Sequence, residues 1–195
     1  MPSWLQRTLA LSVLFALAAV ARAEFKPLKI DAVHSRLGFT ASTLLFDVEG
    51  HFNRYDVQLD GDPSKPASAR LKVSIDATSI DTGNTKRDEH LSSADFFEVK
   101  KYPRISFVSE SITQSGNQLH VVGTLEMHGQ KRTLTIPFKL VKGKNGSGVE
   151  STAAKGKLVI QRSEFGIGTD SVAAKISLED EVVLDLLVVA FPFAA

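Results

Sequence analysis

The chain of 195 residues contains no cysteine. Thiol catalysis, thiolate metal ligands and redox-active cysteine pairs are therefore excluded. An excess of charge of one sign is also lacking, since 23 lysines and arginines stand against 22 aspartates and glutamates. This balance gives no reason to expect nucleic acid or an anionic surface as a partner.

The usual catalytic and metal-binding motifs are missing as well. The sequence contains no GxSxG nucleophile elbow and no GxxxxGK[ST] phosphate loop. Its five histidines are scattered without HxH or HExxH spacing: His34, His51, His90, His120 and His128. The sequence therefore predicts no catalytic residue, no metal site and no cofactor. A hydrolase whose base and nucleophile come from distant strands stays open as an alternative.

Long apolar runs are lacking except at the N-terminus. There Arg7 precedes an apolar run from Thr8 to Val20, which ends in Ala21-Arg22-Ala23. Thirteen residues are too few to cross a bilayer about 30 Å thick as a helix. The pattern predicts a signal peptide over residues 1–23, cleaved after Ala23, and a periplasmic protein. The remaining residues, 24–195, form one predicted domain without a transmembrane segment.

The dominant feature of that domain is alternation of apolar and polar residues, which is typical of β-strands. It begins near Val33 and ends with a long strand from Ile176 to Ala190. A shift of one residue between Phe52 and Tyr55 predicts a bulge or bend. About eight strands joined mostly by short loops favour an all-β fold, an extended eight-stranded antiparallel barrel. A β-sandwich is the alternative, because alternation alone does not separate the two.

One stretch, Thr78 to Val99, interrupts the alternation and concentrates charged residues next to Phe96 and Phe97. It predicts a loop and one short helical insertion around residues 86–95, with Thr85 as the N-cap and Asp88 at the third helical position. Two roles for its polar residues stay open. Arg87 and Asp88 tie the helix to a strand end, or Arg87 and a neutral histidine anchor an oxygen-rich head group.

Three runs of sequence resemble a known family. They are SIDTGNTKRDEHLSSADFFEVKKYPRISF from Ser79, VGTLEMHG from Val122 and IQRSEFG from Ile160. With a long last strand, they make the chain similar to the YceI family of exported polyisoprenoid-binding, lipocalin-like proteins. The resemblance implies a barrel whose tunnel holds a long apolar chain, such as a polyprenyl lipid or an isoprenoid quinone. Assembly as a homodimer is left open.

Candidate ligand contacts follow from strand parity and the motifs of the family. For the apolar tail they are Phe39, Phe52, Ile75, Phe96, Phe97, Ile105, Phe107, Leu125, Ile136 and Phe165. For the head group they are Arg87, His90 and Arg162. Two other functions remain as alternatives. One is an enzyme acting on an isoprenoid-type substrate with His90 as acid or base, and the other is an envelope stress protein that acts through protein partners.

Overall fold

Eleven β-strands form one antiparallel sheet in the computed structural model, which describes residues 29–61, 66–144, 146 and 148–191. The strands are β1 Lys29–Ile30, β2 Arg36–Thr43, β3 Asp47–Phe52, β4 Tyr55–Asp60, β5 Arg70–Asp76, β6 Ile80–Asp81, β7 Arg104–Ser115, β8 Gln118–Met127, β9 Gln130–Lys144, β10 Glu150–Gln161 and β11 Leu178–Phe191. The described residues also form two α-helices, α1 Thr85–Ser92 and α2 Val172–Ser177. Short 3-10 helices lie at Pro66–Ser68, Ala77–Ser79 and Arg162–Phe165.

The sheet curls around a single interior. Its hydrogen-bonding order is β4-β5-β7-β8-β9-β10-β11-β2-β3-β6, with β1 paired to β11. The strand β4 lies at one end of this order, and β3 lies at the other end beside the short β6. Because β3 and β4 follow each other directly in the sequence, the chain itself links the two ends of the sheet. If β3 and β4 are counted as one bent strand and the two-residue strands β1 and β6 are set aside, eight strands remain. The prediction of an all-β, antiparallel barrel is confirmed, and the β-sandwich alternative is wrong.

The bend that the sequence predicts lies between β3 and β4. The amide of Asn53 donates to the carbonyl of Ser79 over 3.0 Å, and the amide of Asp76 donates to the carbonyl of Arg54 over 3.0 Å. The Ser79 hydroxyl accepts from the amide of Arg54 at 3.0 Å. These bonds satisfy the backbone where β3 leaves β2 and β4 joins β5, so the bent strand connects both ends of the sheet.

Two tight turns connect the central strands. Gly116 and Asn117 join β7 to β8, where Gly116 has φ 59°. His128 and Gly129 join β8 to β9 with φ values of 51° and 74°, the combination that a type I′ hairpin turn requires. The left-handed conformation of His128 is uncommon for a residue with a side chain.

Several details of the helices differ from the sequence-based expectation. Helix α1 spans Thr85–Ser92 rather than 86–95, and its N-cap is Asn84, whose side-chain oxygen accepts from the Arg87 amide at 3.1 Å. The predicted Thr85 cap is therefore wrong. Helix α2 was not predicted at all, and it contains Ile176, which was assigned to the last strand. Within the described residues, no helix is long and apolar enough to span a membrane. The predicted signal peptide, residues 1–23, lies outside them.

Candidate functional site

The barrel contains an apolar cavity of about 160 Å³, which is called the lumen below. A water molecule needs only about 10–15 Å³ by the same kind of measure, so the lumen is far larger than a packing defect. Its wall is drawn from β2, β3, β5, β7 to β11, helix α1 and the loops next to the helices. Of the described residues that line it, Arg162 is the only charged one.

Nine of the ten side chains predicted to contact an apolar tail lie on this wall. They are Phe39, Phe52, Ile75, Phe96, Phe97, Ile105, Phe107, Leu125 and Ile136. The remaining residue, Phe165, is fully buried outside the lumen. His128 Nδ1 donates to the Phe165 carbonyl over 2.9 Å, and the Arg132 guanidinium lies 5.9 Å from the centre of the Phe165 ring. Phe165, the last residue of the 3-10 helix Arg162–Phe165, thus packs against the β8–β9 turn and the start of β9.

Further wall residues were not named from the sequence. They are Leu37, Gly38, Ala41, Leu71, Val73, Leu91, Met127, Leu134, Phe138, Ile160, Ile167, Leu178, Val182, Leu184, Leu186 and Val188. Most share the strand parity of predicted neighbours, as Val73 does with Ile75 and Phe138 with Ile136. Strand parity could have identified these, because alternate residues of a strand face the same side. Leu91 and Ile167 belong to a helix and a loop, where this signal is absent.

Three phenylalanine rings lie flat on the wall because glycines face them. Phe39 is paired with Gly50 across β2 and β3, and Phe138 with Gly156 across β9 and β10. A Cβ atom on Gly50 would come 2.3 Å from Phe39 Cζ, and one on Gly156 would come 2.6 Å from Phe138 Cε1. Gly123 makes the same space for Phe107. The missing side chains let the rings rest against the backbone, so that the centre of the barrel stays open.

The segment from Thr78 to Val99 closes part of one end of the barrel. Phe52 makes ring contacts at 6.0 Å with both Phe39 and Phe97, so an aromatic row runs from the wall into this segment. Phe96 is buried at 7% exposure and also lines the lumen. Its outer side is covered by His90, whose ring lies 5.0 Å away in an edge-to-face arrangement.

Arg87 and His90, two of the three predicted head-group contacts, lie away from the lumen wall. Arg87 donates through Nε to the Thr82 hydroxyl and through Nη2 to the Thr82 carbonyl, over 2.7 and 2.8 Å. Asp88 accepts from both the amide and the hydroxyl of Thr82. His90 Nε2 lies 3.2 Å from Asp95 Oδ2 at the surface. Arg87 and Asp88 therefore tie helix α1 to the end of β6, which was one of the two roles left open.

Arg162, the third predicted head-group contact, lies on the wall and is 9% exposed. All three of its guanidinium nitrogens donate to backbone carbonyls: Nε to Glu179, Nη1 to Ile167 and Nη2 to Leu178, over 3.0, 2.8 and 3.2 Å. The Ile167 carbonyl belongs to the connection between β10 and β11, and the carbonyls of Leu178 and Glu179 belong to the start of β11. The side chain thereby joins the loop that carries α2 to the lumen wall, and its charge is solvated by peptide dipoles.

The carboxylates with shifted pKa values lie outside the lumen wall. A hydrogen bond from Thr78, and then Arg54, lowers the pKa of Asp76. His34 lowers the pKa of Asp31, and the amide of Gly83 lowers that of Asp81. Within the described residues, no group of three or more His, Asp or Glu side chains is placed to hold a metal ion.

Comparison with known proteins gives consistent matches. Residues 28–190 match the model of the YceI-like domain family. "Protein YceI" of Escherichia coli is 31% identical over 161 residues, which cover 82% of this chain and 84% of that protein. The crystal structure of BcnA from Burkholderia cenocepacia aligns with a TM-score of 0.74 at 30% identity, covering 83% of this chain and 99% of that one.

A more distant structure shares the fold. It is described as a polyisoprenoid binding domain from Saccharophagus degradans implicated in plant cell wall breakdown. It aligns with a TM-score of 0.63 at 15% identity and covers 86% of this chain and 98% of that chain.

Proposed function

Because the chain belongs to the YceI-like domain family, we propose that it binds a long isoprenoid chain, such as a polyprenyl lipid or the tail of an isoprenoid quinone, inside the lumen. The observation that carries this proposal is the apolar wall: every described lining residue except Arg162 is apolar or glycine. Such a wall offers a polar substrate almost no hydrogen-bonding partners, while it suits a ligand that binds by burial of hydrocarbon.

The energetics of such binding need few polar contacts. Each buried methylene contributes about 0.8 kcal/mol, so several isoprene units outweigh the cost of ordering the chain. The flat rings of Phe39, Phe107 and Phe138 widen the space along the barrel axis without adding polar atoms. A protein exported to the periplasm would in this way carry through water a lipid that is insoluble in it.

The test begins with protein purified from the periplasm of its native cells. Lipid extraction and mass spectrometry of this protein are expected to find a bound isoprenoid. A Phe97→Asp variant, which places a carboxylate on the wall, is expected to lose the lipid, because an apolar chain would then desolvate a charge. A Val33→Asp variant is the control, since Val33 is 87% exposed and lies outside the lumen wall.

Two results would contradict the proposal. One is a barrel that is consistently empty when isolated from native cells. The other is a Phe97→Asp protein that folds and retains lipid as well as Val33→Asp does. In that case a function through protein partners, with the barrel as a scaffold, would explain the fold better.

A further inference from the structure

Five large apolar side chains are exposed together beside one end of the barrel. Leu44, Leu45 and Phe46 form the β2–β3 turn and are 73%, 89% and 59% exposed. Val172 and Ile176, both 71% exposed, lie one helical turn apart on the same face of α2. The Leu44 amide donates to the Ser177 carbonyl over 3.1 Å, so the turn and the helix end are joined. These five residues are called the apolar tip.

The amides of the β2–β3 turn all have partners within the protein. The Leu45 and Phe46 amides both point to the Thr43 hydroxyl, at 3.4 and 3.2 Å. That hydroxyl donates to the Phe46 carbonyl over 2.7 Å, and the Thr43 amide donates to the same carbonyl over 2.9 Å. A turn whose amides bond within the protein can enter an apolar phase at lower cost, because these amides lose no hydrogen bond to water.

The tip is continuous with the lumen. Ala41 lies two residues before Thr43 on β2, and it lines the lumen. Leu178 follows α2 directly, pairs with Thr43 and also lines the lumen. The tip therefore adjoins the lumen wall on both of its elements, through Ala41 on β2 and through Leu178 after α2. Asp47 and Lys175 next to the tip carry opposite charges, so attraction to anionic head groups contributes little there.

The size of the tip decides between two occupants. A stable contact with a second copy of the chain needs about 20–30 residues on each side. Five apolar residues supply only part of such an interface. A lipid bilayer, in contrast, requires no shape complementarity, and a few inserted aliphatic and aromatic side chains suffice for reversible binding.

We infer that the apolar tip inserts into the surface of a lipid bilayer and brings this end of the barrel against the membrane, where the lumen takes up or releases its chain. The inference rests on the proposed function, since it assigns to the tip the transfer of the same ligand. Insertion is driven by apolar burial, so binding to vesicles is expected to depend only weakly on salt and on the charge of the lipid.

The experiment separates docking from ligand binding. Flotation with vesicles of phosphatidylethanolamine and phosphatidylglycerol measures docking of the wild type and of a Leu45→Asp/Phe46→Asp variant. The variant is expected to lose about tenfold or more in vesicle binding, because two charges must then leave water. Val33→Asp is the matched control: Val33 is 87% exposed, close to the 89% of Leu45, and lies before β2, at the other end of that strand.

Farnesol added in solution tests the lumen independently. The tip variant is expected to bind farnesol as the wild type does, but to take it up from vesicles about tenfold more slowly. A wild-type protein that does not bind farnesol would contradict the proposed function. Normal farnesol binding with equal flotation of wild type and tip variant, or with a dimer that the tip variant abolishes, would overturn the inference about the membrane.

Discussion

At the level of single residues, Gly156 decides where the Phe138 ring lies. A Cβ atom at this position would come 2.6 Å from Phe138 Cε1 and 2.7 Å from Cδ1. In Gly156→Ala the ring must therefore turn into the lumen, because the strand backbone cannot retreat without breaking its pairing. We expect stability to fall by about 1–3 kcal/mol and binding of an isoprenoid alcohol to weaken by about tenfold, measured by urea unfolding and by titration.

Two variants make this prediction sharp. Gly143→Ala is the control, because Gly143 lies in β9, the strand paired with the β10 strand of Gly156, and has no atom within 4 Å of its would-be Cβ. Adding Phe138→Leu to Gly156→Ala removes the displaced ring and is expected to restore binding. Weak binding that persists in the double variant would show that Phe138 does not block the lumen.

The charged guanidinium of Arg162 stabilises the fold by donating to three backbone carbonyls. Replacement by methionine leaves the carbonyls of Glu179, Ile167 and Leu178 without their donors in a buried place. Arg162→Met is expected to lower the free energy of unfolding by about 3 kcal/mol, and Arg162→Lys by less, since an ammonium cannot reach all three carbonyls. Urea denaturation measures both, with the exposed Arg104→Met as control. An unchanged stability would contradict the assigned role.

At the level of elements, the corner between β3 and β4 is stabilised by Asp76. Its carboxylate accepts from the Thr78 hydroxyl at 2.7 Å and from Arg54 Nε at 2.9 Å. These contacts lower the pKa of Asp76 below its ordinary value of 3.8. A carboxyl group with a lowered pKa stabilises the fold above that ordinary value, and this stabilisation is lost as the pH falls through the lowered pKa.

Asp76→Asn is therefore expected to cost about 0.5–1 kcal/mol at neutral pH, a modest figure because the side chain is partly open to solvent. The difference from the wild type should stay constant down to mildly acidic pH and then shrink below the ordinary pKa of Asp76. Urea unfolding at a series of pH values measures it. If the difference in free energy of unfolding between the wild type and Asp76→Asn grew as the pH falls, this would contradict the stabilising role of the ionised Asp76 carboxylate.

The same elements show what the sequence could predict. Strands with alternating residues, including β4 at Tyr55–Asp60 and the bend after Phe52, were predicted because their side chains face either the lumen or water. Helix α2 was missed because its six residues follow no helical period that distinguishes them from the start of β11. The N-cap was misplaced by one residue, since Asn84 and Thr85 are both good caps and only the fold selects between them.

For the whole molecule, strand parity could identify the inward side chains but not the space between them. The openness of the lumen depends on pairs such as Phe39 with Gly50, which come together only when β2 and β3 adopt their register. Phe165 shows the opposite error, a residue that was predicted to line the lumen and does not. Its motif suggested a ligand contact, but the turn at His128 and the ring's full burial hold it outside the lumen. Apolar character alone does not separate a wall residue from a core residue.

A lumen of limited volume predicts how the stability of the protein should respond to the length of a bound ligand. A ligand that binds only the folded protein raises its stability by about 2.7 kcal/mol at 100 times its Kd, which corresponds to roughly 5–10 °C in Tm for a chain of this size. Geraniol, farnesol and geranylgeraniol at equal concentration are expected to give increasing shifts in Tm, because each added isoprene unit buries more hydrocarbon. The shift should level off for longer alcohols, once the wall from Phe97 to Val188 is covered.

In Gly156→Ala the shift in Tm should level off at a shorter chain, since the Phe138 ring then occupies part of the lumen. Shifts that do not depend on chain length, or that are identical in Gly156→Ala, would mean that the alcohols bind outside the lumen.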